Sequence, residues 1–81
     1  MEIKVLGPGC KNCKMLESLV VRVAGEMGVE AGVEKVENMA RIVELGVMST
    51  PGLIINGKIK STGRVPRKEE IAGWIKEEMN S

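Results

Sequence analysis

The sequence predicts an α/β domain of order β-α-β-α-β-β-α, with amphipathic helices covering both faces of a mixed four-stranded sheet. Three observations lead there. Apolar residues alternate with period two before residue 7, and they recur at three- and four-residue steps over 11–27 and after residue 66. Asn56-Gly57 suits a two-residue turn, which joins antiparallel strands, whereas a helix lying between two strands favours a right-handed parallel crossover. Each helix carries a single apolar stripe, which must be buried against a face of the sheet.

The elements follow in order. Glu2-Ile3-Lys4-Val5-Leu6 reads as a strand closed by Gly7-Pro8-Gly9. From Lys11 to Met27 a helix presents Met15, Leu16, Leu19, Val20, Val23, Ala24 and Met27, and Gly28 stops it. Residues 31–36 supply a second strand around Val33 and Val36. Asn38 then caps a short helix over Met39, Ile42, Val43 and Leu45, which Gly46 ends. Leu53-Ile54-Ile55 pairs through the turn with Lys58 to Thr62. Pro66 fits the first position of a last helix whose apolar face is Ile71, Trp74, Ile75 and Met79. Trp74 is expected to plug that helix against the sheet, the six Met to fill gaps in the core, and Glu69-Glu70 and Glu77-Glu78 to be solvated.

Eighty-one residues leave room for one domain, 1–81, and no repeat or linker divides them. Twelve Lys and Arg are interspersed with eleven Glu, a net charge of +1 that selects neither nucleic acid nor anionic lipid. No apolar run approaches the roughly 18 residues of a membrane span, and no basic start with a small-residue cleavage signal is present. The expectation is a cytoplasmic protein, monomeric, with no membrane or nucleic-acid partner. Two cysteines cannot build the multi-bridge framework of small secreted domains, so a C-x-x-C in a reducing compartment is a chemical site before it is a staple. The chain has no His, so its chemistry rests on sulfur, amines, carboxylates and backbone.

Cys10-Lys11-Asn12-Cys13 lies between a strand and the start of a helix. There the first backbone N–H groups are unsatisfied and the helix dipole is positive, which stabilises a thiolate at Cys10, and Lys11 and Lys14 add positive charge. Cys13, almost one turn further on, is brought toward Cys10 but more enclosed. Access therefore assigns Cys10 the attack on a substrate disulfide and Cys13 the resolution of the mixed disulfide.

With Cys10-Lys11-Asn12-Cys13 after the first strand, Ser49-Thr50-Pro51-Gly52 before the third and Gly63 through Pro66 before the last helix, nearly the whole chain resembles the thioredoxin and glutaredoxin superfamily. It is most similar to the short archaeal and bacterial thioredoxin-like proteins called small redox-active disulfide proteins. Read without that likeness, Pro51 is an ordinary trans residue, because only about 5–6% of X–Pro bonds are cis. The resemblance implies instead that Pro51 is cis and faces the cysteines, with the Thr50 backbone free to pair with an extended substrate and Gly63 permitting close approach. It implies a protein-disulfide oxidoreductase with no cofactor and no metal, whose partners are disulfide-containing proteins and a disulfide reductase as electron donor. The chain departs from the family pattern in having Gly9 where a Trp commonly precedes the motif. It contains no Asp, neither the buried one that assists the second cysteine in many thioredoxins nor the one with which glutaredoxins often hold glutathione.

Two readings from other classes use the same residues. A Cu(I) or Zn(II) carrier also places C-x-x-C after a first strand, but such domains run β-α-β-β-α-β and usually end in a strand, whereas this chain finishes with the helical run of Ile71, Trp74 and Ile75. A redox-inactive binding module would use the scaffold alone, a role that the intact cysteine pair argues against.

Overall fold

A computed structural model describes residues 1–80 of the chain. Its elements are β1 (Glu2–Leu6), α1 (Lys11–Glu26), β2 (Gly32–Val36), α2 (Met39–Glu44), β3 (Gly52–Ile55), β4 (Lys58–Thr62) and α3 (Lys68–Met79). The sheet order is β2-β1-β3-β4. β1 runs parallel to β2, with Leu6 opposite Val36, and antiparallel to β3, which is antiparallel to β4. The sheet is therefore mixed, as one parallel crossover from β1 to β2 and the tight turn between β3 and β4 require. Asn56 and Gly57 take φ values of 50° and 81°, the left-handed pair that such a turn needs.

Strand alternation sorts the core into two clusters. Ile3, Val5, Leu53 and Ile55 point to the face covered by α1 and α3, where Leu16, Val20, Val23, Ile71 and Ile75 join them. Leu6 and Ile54 point to the opposite face and meet Val36, Ile42 and Val47. Trp74 is half-buried against the first cluster.

The structure corrects several sequence expectations. Met15, Met39, Met48 and Met79 are exposed, so the methionines do not as a group fill the core. Met15 is rotated about 100° from Leu16, beyond the strip of α1 that the sheet can cover. The six-residue α2 buries only Ile42 and leaves Val43 exposed, because so short a helix offers about one inward position. α3 begins two residues later than Pro66 suggested. Arg67 is its N-cap, and the Arg67 backbone N–H donates to the Glu70 carboxylate at 3.2 Å.

Of the four acidic residues expected to be solvated, Glu78 is enclosed and Glu70 is half-buried. Glu78 is 8% exposed, and its carboxylate accepts from Lys60 at 2.9 Å and lies 3.3 Å from Lys58. These contacts hold its pKa below the ordinary range, the Lys60 hydrogen bond foremost. The Glu70 carboxylate accepts from both terminal guanidinium nitrogens of Arg64, at 3.1 and 2.7 Å, which ties the loop after β4 to α3.

Candidate active site

Cys10 ends the loop after β1 and is the N-cap of α1, with an extended backbone (φ −67°, ψ 167°). Its Sγ accepts the Cys13 backbone N–H at 3.2 Å, and its carbonyl accepts that of Lys14 at 3.0 Å. A sulfur thus takes the place of the Ser or Asp oxygen that usually satisfies the first turn. Cys10 and Cys13 are joined in a disulfide, with Cα atoms 5.0 Å apart. The two sulfurs differ in access, since Cys10 is exposed whereas Cys13 is 5% exposed.

Cys13 owes its enclosure partly to Gly7, a residue that the sequence presented only as loop punctuation. A Cβ on Gly7 would collide with the Cys13 Sγ and stand 3.7 Å from the Thr50 Cβ. Gly7 is buried and anchored, its N–H donating to the Val36 carbonyl at 2.9 Å. The absence of a side chain here is what lets the cysteine turn and the loop before β3 approach each other.

On that second loop the Thr50–Pro51 peptide bond is cis and Pro51 is buried. The Pro51 carbonyl accepts the Gly63 N–H at 3.0 Å. Gly63 takes φ 75°, and a Cβ there would lie 3.1 Å from the Ser49 Cβ. Gly63 therefore packs on residues 49–51 and braces the loop. Through Gly7 and Gly63 the fold brings Cys10, Cys13, Thr50, Pro51 and Gly63 into one neighbourhood at the end of the sheet.

Lys11 and Lys14 are exposed on the first turn of α1. Lys14 also lines a cavity of about 60 Å³ beside the buried sulfur, together with Val5, Gly9, Cys13, Lys35 and Glu37. Lys35 and Glu37 were not singled out from the sequence. The parallel pairing of Leu6 with Val36 sets Glu37 beside the loop that follows β1, a proximity that exists only once the two strands are in register. Among the described residues, no three or more Cys, His, Asp or Glu side chains converge as a metal site. The chemistry the arrangement supports is exchange between an exposed sulfur at a helix N-terminus and an enclosed one a turn away.

Comparison with known proteins agrees with that chemistry. Residues 1–76 match the thioredoxin domain family. A thioredoxin of Methanothermobacter thermautotrophicus is 44% identical over 71 residues, covering 88% of this chain and 92% of that one. A thioredoxin of Methanocaldococcus jannaschii is 34% identical over 79 residues, covering 98% and 86% respectively. The solved structure of thioredoxin 1 from Thermosipho africanus superposes with a TM-score of 0.67 at 20% identity, covering 99% of this chain and 96% of that one, a likeness of fold.

Proposed function

The chain belongs to the thioredoxin domain family and is a thiol-disulfide oxidoreductase with a Cys10–Cys13 pair, and from that premise we propose the roles of its residues as follows. In the reduced protein the Cys10 thiolate attacks one sulfur of a substrate disulfide. That bond breaks, the departing substrate sulfur takes a proton, and a mixed disulfide forms. Cys13, losing its proton, then attacks the Cys10 sulfur, which releases the second substrate thiol and closes the Cys10–Cys13 disulfide. Two electrons and two protons pass to the substrate, and a disulfide reductase returns them to the protein.

The observation that carries this assignment is the asymmetry of the pair. Cys10 is exposed and receives the Cys13 N–H, a bond that strengthens when the acceptor is a thiolate, whereas Cys13 is enclosed. Lys11 and Lys14 favour the Cys10 thiolate further. The Thr50 backbone and Pro51 form the edge against which an extended substrate segment lies, and Gly63 keeps that edge in place. Disulfide-containing proteins are the substrates.

We also read residues 1–81 as one domain, since both apolar clusters are built on the same four strands. It works as a monomer in the cytoplasm, where a lone dithiol is kept available for exchange. No helix among the described residues is long and apolar enough to cross a membrane.

The test is covalent trapping. Incubated with a disulfide-containing protein, Cys13→Ser accumulates a mixed disulfide visible by mass and on non-reducing gels, whereas Cys10→Ser does not. Trapping by Cys10→Ser alone would reverse the roles.

A further inference from the structure

Beside the cysteine turn, α1 carries an open groove of about 480 Å³ lined by Lys11, Lys14, Met15, Ser18, Leu19 and Arg22. Lys11, Met15, Ser18, Leu19 and Arg22 follow one another at helical spacing, so they form a single stripe beside the face that packs on the sheet. The floor is apolar. Met15 is 48% exposed and Leu19 half-buried. Three cations rim it, and no carboxylate lines it. Arg22 is only loosely paired, its Nε lying 3.8 Å from Glu26 with most of the side chain in solvent.

We propose that this groove docks an acidic, amphipathic segment of the disulfide protein that exchanges with Cys10. The proposal rests on Cys10 being the attacking sulfur. An apolar floor between cations calls for an apolar side chain flanked by carboxylates. From Lys11 to Arg22 the helix rises roughly 16 Å, a span that a peptide bridges and a single small anion does not. A nucleic acid would need a continuous basic track and stacking aromatics, whereas this chain has a net charge of +1 and its one aromatic residue, Trp74, lies on α3. Because the stripe starts next to Cys10, a partner seated in it presents its disulfide to the exposed sulfur. The groove adds a contact on the helix side to the substrate edge at Thr50 and Pro51.

The first arm of the test reads binding without redox chemistry. A fluorescently labelled, cysteine-free peptide with Leu residues at helical spacing flanked by Glu is titrated with the oxidised protein by anisotropy, beside a peptide with Gln in place of Glu. The Glu peptide binds about tenfold tighter at low ionic strength, and the difference collapses at about 0.5 M salt. Arg22→Glu removes most of that advantage, while Lys76→Glu, an equal change of charge on α3, keeps it. The second arm mixes reduced protein with a disulfide-bridged version of each peptide, the protein dithiol becoming a disulfide as the peptide disulfide becomes two thiols. Arg22→Glu slows the Glu peptide about tenfold and leaves the rate with uncharged hydroxyethyl disulfide unchanged.

Equal binding of the two peptides, equal loss in both charge variants, or displacement of the Glu peptide by millimolar phosphate would each overturn the docking assignment. If instead the protein fails to reduce hydroxyethyl disulfide, the role of Cys10 fails, and the anisotropy result still decides the groove.

Discussion

The sulfur of Cys13 occupies the space in which a side chain on Gly7 would begin. The two residues lie on different elements, the loop after β1 and the first turn of α1, and their contact sets how deeply the second cysteine sits. The Thr50 Cβ lies 3.7 Å from the same position, so one missing methyl group governs how closely the two loops and the first turn of α1 approach.

Gly7→Ala should therefore displace Cys13 or the loop itself. Such overpacking costs about 1–3 kcal/mol in denaturant unfolding. Reduction of a protein disulfide should fall by about tenfold or more, because misplaced reacting atoms lose rate steeply. Gly73→Ala is the control. A Cβ there meets nothing, and a Gly in a helix interior is worth about 0.5–1 kcal/mol less than Ala, so this variant should gain stability and keep its activity.

Acid should weaken the tie between Arg64 and Glu70. The Arg64 guanidinium, and after it the Arg67 backbone N–H, hold the Glu70 carboxyl down at about 2 against an ordinary value of 4.5. A carboxyl depressed in the folded state stabilises fully above its unfolded value, and that contribution is lost as pH falls through the folded one. The Tm of the native protein should drop more steeply than that of Glu70→Gln between about pH 4.5 and about pH 2, the two curves converging at the acid end. Parallel curves would mean that the pair contributes nothing.

Glu78 should be the most sensitive of the acidic residues in α3. Its side chain is 4% exposed, and that of Lys60 12% against 61% for Lys58. Removing a carboxylate that faces an enclosed ammonium leaves the cation without compensation. Thermal unfolding should show Glu78→Ala losing more than Glu77→Ala, and Lys60→Ala more than Lys58→Ala. The reverse order in either pair would show the burial to be without energetic effect.

Ser61 makes the opposite case. It is 7% exposed on β4, and its Oγ is buried with no hydrogen-bond partner among the described residues. A buried hydroxyl left unpaired costs about 1–3 kcal/mol, so Ser61→Ala should be neutral or stabilising by up to about that amount. A clear loss in denaturant unfolding would show that the hydroxyl finds a partner.

Much of the site was legible because its signals are local. Cys10 and Cys13 are three residues apart at a strand-to-helix junction, and both the spacing and the junction can be read along the chain. The cis bond at Pro51 could not be reached that way. The residue alone favoured trans, and only the resemblance to a family implied otherwise. Gly7 and Glu37 are illegible along the chain for a different reason. One looked like any loop glycine and the other like any surface carboxylate until β1 was set in register against β2 and α1 folded over its end.

The sequence by itself determined the order of the elements, the mixed sheet, the hairpin at Asn56-Gly57 and the cysteine pair at the head of α1. Periodicity, turn chemistry and helix termini act over a few residues, and tertiary context did not override them. The tertiary structure alone decided that Glu78 is enclosed by Lys60, that Met15 and Met79 face solvent, that α3 starts from Arg67, and that Gly63 braces Pro51. Each of these depends on which segments distant along the chain become neighbours. Burial and ion pairing belong to such neighbours, and a side chain's own identity does not reveal which of them it will meet.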